Sequence, residues 1–112
     1  MPFFNQSLKR PLQITAYTVE GQPLGYFTCQ EITPDGIYLK GDLTQLLEAL
    51  RLLTNPIFQI DIQESRKRPI RAVIRANLSG YGGGGPKAQS FFKFVRMSAD
   101  HKRRYLALLY GE

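Results

Sequence analysis

The sequence predicts a mainly β domain. Six strands with tight connections form an antiparallel barrel or curled sheet, with one helix interposed and one at the C-terminal end. Three observations predict it. Short segments alternate apolar and polar residues between turn-forming residues, most cleanly where Ile70, Ala72, Ile74, Ala76 and Leu78 alternate with Arg71, Val73, Arg75 and Asn77. Leu43, Leu46, Leu47, Leu50 and Leu53 fall on one helical stripe among these segments. Near the end, Ser98 and Asp100 mark a helix start, a hydroxyl to cap free amides and a carboxylate suited to the helix dipole.

Leu12 to Val19 mixes β-branched and aromatic residues and reads as the first strand, closed by a turn from Glu20 to Pro23. A second strand runs from Leu24 to about Thr33 and turns at Pro34-Asp35-Gly36 into a short third strand ending at Lys40, giving a three-strand meander. Asp42 then caps the interposed helix, and Gln45 three residues later completes a capping box. Asn55-Pro56 stops that helix, because the residue before proline is pushed out of helical dihedrals. Phe58, Ile60 and Ile62 alternate with Gln59, Asp61 and Gln63 as a half-buried strand, and a basic turn from Ser65 to Pro69 leads into the strand from Ile70. Ser79 to Pro86 reads as a flexible glycine loop, and Ala88 to Met97 as an aromatic strand carrying Phe91, Phe92 and Phe94. The last helix, 99–110, has Leu106, Leu109 and Tyr110 along one side.

A chain of 112 residues is one domain, large enough to bury a core without a metal or disulfide staple. Residues 1–10 read as an N-terminal arm and 11–112 as the domain. The leucine-rich stretch is interrupted by Thr44, Gln45, Glu48 and Arg51, which excludes a transmembrane helix, and the start lacks the basic flank and apolar run of a secretory signal. Cys29 is the single cysteine, so no internal disulfide forms and a reducing, cytoplasmic setting is expected. The net charge of +6 is uneven: residues 1–63 carry four basic against six acidic groups, whereas 64–112 carry eleven against three. Arg66, Lys67, Arg68, Arg71 and Arg75 form one cluster and Lys102, Arg103 and Arg104 another, a field that attracts polyanions, nucleotides, anionic lipid or an acidic protein face.

Enzyme chemistry finds no support, so neither catalysis nor a cofactor is expected. The one histidine, His101, sits in the first turn of the last helix between Asp100 and Lys102 and reads as an exposed helix residue. Cys29 falls mid-strand, and no histidine or cysteine pair has metal-ligand spacing. Gly80 to Gly85 satisfies G-x-G-x-x-G formally, but Pro86 and a strand follow where a helix N-terminus would have to receive a pyrophosphate. The phenylalanine strand has the base-stacking residue type of RNA-binding sheets, yet Phe91 and Lys93 replace the small residues of that pattern, and core packing explains its aromatics better. A small nucleic-acid binder using Arg66 to Arg75 and this strand stays as a third reading, and no DNA is expected as a partner.

Two short segments remain. Lys9-Arg10 stands just before the first strand, and Glu31-Ile-Thr-Pro-Asp-Gly36 ends the second. In this order they resemble the PilZ domain family of bacterial cyclic di-GMP receptors, which has an R-x-x-x-R motif before the first strand and (D/N)-x-S-x-x-G about twenty residues later. Val73-Ile-Arg-Ala76, the strand ending Phe94-Val-Arg, and a terminal helix with Arg103, Arg104 and Leu106 are similar as well. The resemblance implies a six-stranded antiparallel β-barrel and a ligand site at Lys9, Arg10, Glu31, Thr33 and Gly36. Arg10 matches the second arginine, Glu31 the acidic position, Thr33 the serine and Gly36 the glycine, while Gln6 stands where the first arginine belongs. An arginine can pair with guanine O6 and N7, stack on the ring or clamp phosphate, and a carboxylate can accept from guanine N1–H and the exocyclic amine. Gln6 has neither the charge nor the fork of arginine, and Glu31 reaches one methylene farther than aspartate. The implied function is a small stand-alone regulator that responds to cyclic di-GMP. It would act through an unidentified protein partner in motility, attachment or exopolysaccharide control, with the arm mobile until ligand fixes it. The alternative is a PilZ-like adaptor that docks its partner without nucleotide.

Overall fold

The computed structural model describes residues 6–41, 43–51, 56–64, 67–76 and 89–110. Its elements are β1 (Gln6–Tyr17), β2 (Pro23–Ile32), β3 (Gly36–Lys40), α1 (Thr44–Arg51), β4 (Ile57–Gln63), β5 (Ile70–Ala76), β6 (Gln89–Arg96) and α2 (Ala99–Tyr110). The strands close into one barrel in the order β1-β2-β3-β6-β5-β4, and every neighbouring pair is antiparallel. Six strands, the meander of β1 to β3 and the two helices are thus as the sequence predicts.

Alternation fills the barrel. Leu12, Ile14 and Ala16 of β1, Phe58, Ile60 and Ile62 of β4, and Ile70, Ala72, Ile74 and Ala76 of β5 all face inward and are buried. Each large aliphatic side chain in this set contributes about 2 kcal/mol by leaving water. Phe92 of β6 meets Phe58 edge to face, with ring centroids 5.6 Å apart, in the middle of the core. Among the described residues no helix is long and apolar enough to cross a membrane.

The two helices close the two ends. β3 and β4 are not neighbours in the barrel, so the chain between them must cross one end. α1 lies on that crossing, and Leu43, Leu46 and Leu50 of the leucine stripe are buried there. At the other end, where β2 turns into β3 and β4 into β5, α2 lies across the mouth and buries Tyr105 and Leu109. Leu106 is half-buried and Tyr110 is 56% exposed, so the inward side of α2 is Tyr105 and Leu109, not the Leu106, Leu109 and Tyr110 side that apolarity alone selects. Ser98 caps α2 as expected, its Oγ accepting the His101 N–H at 3.3 Å.

β1 corrects the position of the arm. It begins at Gln6 rather than Leu12, so Gln6 to Arg10 is strand and Lys9 and Arg10 lie within it rather than ahead of it. Ser7 pairs with Glu31 and Leu12 with Cys29, which leaves Leu8 to Pro11 standing against Gln30 alone. This is a long bulge, and Pro11, with no N–H for a ladder, sits inside it. The bulge destroys the period-two signal, which is why alternation places the strand start at Leu12. Asp42, Leu53, Asn55 and the glycine segment 79–86 lie outside the described residues, as do the side chains of Gln45 and Leu47.

Candidate functional site

The Thr33–Gly36 turn sits at the end of the barrel that α2 covers. Thr33 Oγ1 accepts the N–H of Asp35 at 3.1 Å and of Gly36 at 3.0 Å, and donates its own proton to Gly36 O at 3.0 Å. The Thr33 N–H also donates to Gly36 O at 2.9 Å. A hydroxyl has one proton and two lone pairs, so that of Thr33 is fully engaged by backbone. Gly36 is required by close approach: a Cβ there would come within 2.3 Å of Phe92 O on β6 and 2.7 Å of the Phe91 ring.

α2 fixes this turn from inside. The buried Tyr105 hydroxyl donates to Thr33 O at 2.6 Å and stands 3.2 Å from Gly36 O. Its ring packs edge to face on Phe94, with centroids 4.9 Å apart. Burial pushes the Tyr105 phenol well above its ordinary range, and the neighbouring Cys29 adds to the effect. Burial likewise pushes the Cys29 thiol up to about 11, although its Sγ donates to Glu31 O at 3.4 Å. A thiol held protonated in this way is a poor nucleophile.

The same helix reaches the opposite side of the mouth. Arg104 donates to Pro69 O at 3.4 Å and to Arg68 O, so it belongs to the lid rather than to a solvated charge cluster. His101 differs from expectation as well. Its Nδ1 accepts the Arg71 backbone N–H at 2.7 Å, just where β6 has ended and β5 has lost its neighbour. It completes a strand ladder, and its partner atom requires an unprotonated Nδ1.

The barrel register brings the two motif segments together. Ser7 stands opposite Glu31, and the bulge carrying Lys9 and Arg10 stands opposite Gln30, whose Nε2 donates to Leu8 O at 3.2 Å. Arg10 is exposed and Glu31 half-buried, while the Lys9 side chain lies outside the described residues. Thr33 and Gly36 are bound to one another directly below. Sequence reasoning misses three neighbours of this corner: Tyr105, Phe91 and Lys93. Phe91 is 37% exposed and packs on Tyr38 with centroids 5.0 Å apart, leaving an aromatic ring beside the turn. Lys93 is the cross-strand partner of both Gly36 and Arg75. Only the helical spacing of Tyr105 from Leu109 could have pointed to it; the other two depend on register. Among the described residues, no group of three histidine, cysteine or carboxylate side chains is placed to hold a metal ion.

A closed six-stranded antiparallel barrel with a C-terminal helix laid over one mouth is the architecture of a PilZ domain, and solved structures agree. The chain is similar to the PilZ domain of YcgR from Escherichia coli, a structure with c-di-GMP, at a TM-score of 0.66 and 12% identity over 99% of this chain and 89% of that one. It is similar also to the PilZ domain of CeSA from a cellulose-synthesizing bacterium, at a TM-score of 0.60 and 9% identity over 95% of this chain and 96% of that one. No family model and no curated protein matches the sequence. In fold the chain is a PilZ-like domain.

Proposed function

We propose that the protein is a cyclic di-GMP-responsive regulator without catalytic activity, working in the cytoplasm through a protein partner in motility, attachment or exopolysaccharide control. The observation that carries this reading is the register at the mouth: the cationic bulge of β1 stands against the end of β2, beside the Glu31–Gly36 corner, on a PilZ fold. Arg10 and Lys9 take the phosphates and a guanine edge, and Glu31 accepts from guanine N1–H and amine. Thr33 and Gly36 act by shaping the turn, since the Thr33 hydroxyl is bound to backbone and Gly36 is packed under β6. Gln6 lacks the arginine fork, which lowers affinity by roughly tenfold to a hundredfold, the worth of one charge-assisted contact of about 1.5–3 kcal/mol.

Titration calorimetry tests it. Cyclic di-GMP should bind at tens of micromolar protein, Arg10→Ala should abolish the heat, and Gln6→Arg should tighten binding by about tenfold or more. Absence of heat in both the unmodified chain and Gln6→Arg, or unchanged binding in Arg10→Ala, rejects the proposal. A second reading, a nucleotide-independent adaptor, is favoured by Gln6 itself. Pull-down with and without cyclic di-GMP separates the two, because an adaptor keeps its partner in both.

A further inference from the structure

On the outer surface of β5 and β6 the charges are arranged against their own stability. Arg75 of β5 and Lys93 of β6 are direct cross-strand partners. Like charges in that position repel. One strand pair away, Arg71 faces Asp61 and is neutralised by it, with Nε donating to Oδ1 at 2.8 Å. Arg75, Lys93, Arg96 and Lys102 have no such carboxylate among the described residues.

A bulge sharpens this face. Val73 pairs with Arg96 and Ile74 with Phe94, so Val95 is the extra residue on β6. The bulge turns two successive side chains outward: Val95 is 46% exposed and Arg96 is exposed beside it. Between β6 and α2 lies a hollow of about 410 Å³ with Phe94, Met97 and Leu106 in its apolar lining and Lys93, Arg96 and Lys102 as its cations. A second hollow of about 370 Å³ adjoins it, sharing Arg96 and Met97 and continuing to Val73.

We infer that this trough docks an acidic, amphipathic segment of a partner protein, leucine-like side chains meeting Phe94, Met97 and Leu106, and carboxylates meeting Lys93, Arg96 and Lys102. Charge complementarity, with Phe94, Met97 and Leu106 set among the cations of a concave surface, selects this occupant. Single-stranded nucleic acid needs open aromatic faces for its bases, but Phe94 is half-buried and packed edge to face with the buried Tyr105. A membrane surface suits a flat or convex apolar face better than a trough. Asp35, at the turn end of the larger hollow, repels carboxylates and so directs the acidic side of the segment toward Arg96 and Lys102. The inference does not rest on cyclic di-GMP: Lys9, Arg10, Glu31, Thr33 and Gly36 line neither hollow, although Pro34 and Asp35 of the same turn and the neighbouring Lys93 and Tyr105 border the larger one.

The test is a two-dimensional NMR titration of the unmodified chain with a peptide of alternating glutamate and leucine, paired with anisotropy of the fluorescein-labelled peptide. Shifts should concentrate at Val95, Arg96, Met97, Lys102 and Leu106. Lys93→Glu combined with Lys102→Glu should weaken binding about tenfold or more, while Arg103→Glu, an exposed α2 position that lines neither hollow, should change it far less. The inference is overturned if a polyglutamate peptide without leucine binds equally well. It is also overturned if shifts spread over every basic residue, or if an oligothymidylate or phosphatidylglycerol vesicles displace the peptide from these residues at lower concentration. Because the shift map uses the unmodified chain, a variant that fails to fold does not decide the matter.

Discussion

The two ends of this barrel are closed by the same device, a helix across the mouth, but with opposite chemistry. α1, with Leu43 just ahead of it, seals its end through Leu43, Leu46 and Leu50 and no polar group among them. α2 seals the other with Tyr105 and Leu109, and adds directional bonds from Tyr105 to the Thr33–Gly36 turn, from Arg104 to Arg68 and Pro69, and from His101 to Arg71. An apolar plug depends on area and tolerates small shifts, whereas hydrogen bonds fix the positions of specific backbone atoms. The candidate nucleotide corner stands at the directional end. Stability is a matter for both ends, and the geometry of a site for one of them.

The largest effect that tests this contrast is at the apolar end. Leu46→Ala removes a fully buried side chain from the plug and should cost about 3–4 kcal/mol in urea unfolding. The Thr33–Gly36 turn should keep its amide protection against hydrogen exchange until global unfolding. If that turn instead opened first in Leu46→Ala, the two ends would not be distinct.

An alkaline titration separates the ends by chemistry. The folded chain holds Cys29 protonated up to about 11, against an ordinary value of 9.0. Below pH 9 both folded and unfolded chains keep the proton and stability is unaffected. Between 9 and about 11 the unfolded chain ionises while the folded one does not, so stability falls, by up to about 3 kcal/mol for a shift of this size. The buried Tyr105 phenol, also raised, acts in the same direction at higher pH. Among the described residues α1 places no ionisable side chain in its buried face. Urea melts from pH 8 to 11 should therefore show a decline that Cys29→Ala reduces at its lower edge and Tyr105→Phe at its upper edge. A decline unchanged in both variants would mean that other groups control alkaline stability.

How much of this was legible in the sequence differs between the ends in the same way. Leu43, Leu46 and Leu50 announce their burial by spacing, and Ile70, Ala72, Ile74 and Ala76 by alternation, because area burial is written as periodicity. The order of the elements, with an arginine near one motif and a threonine and glycine in the other, was enough to suggest the fold. The polar end was harder to read. Pro11 and the bulge around it hide the start of β1, so Lys9 and Arg10 look like an arm. A threonine beside a glycine reads equally well as a ligand contact or a backbone cap, and only coordinates show both amides already on its oxygen. His101 looks solvated until the end of β6 exposes the Arg71 N–H that it accepts. Lys93 meets Arg75 through a register that no local pattern encodes.

The smallest of the three effects bears most directly on the site. Thr33→Val keeps shape and removes the hydroxyl, leaving the half-buried Asp35 N–H and the buried Gly36 N–H without their acceptor. Stranding such donors should cost about 2 kcal/mol, half the effect of emptying the leucine plug. The Tyr105 bond to Thr33 O is to backbone and survives the change, so the turn loses its internal bonds but keeps its external anchor. Two measurements on this one variant then divide structure from recognition. If Thr33 serves the turn, cyclic di-GMP affinity should fall only in step with the lost order of the corner, and Thr33→Ser should restore both stability and binding. If affinity collapses while unfolding stays as in the unmodified chain, the hydroxyl belongs to the ligand, and the polar end is a binding surface first and a lid second.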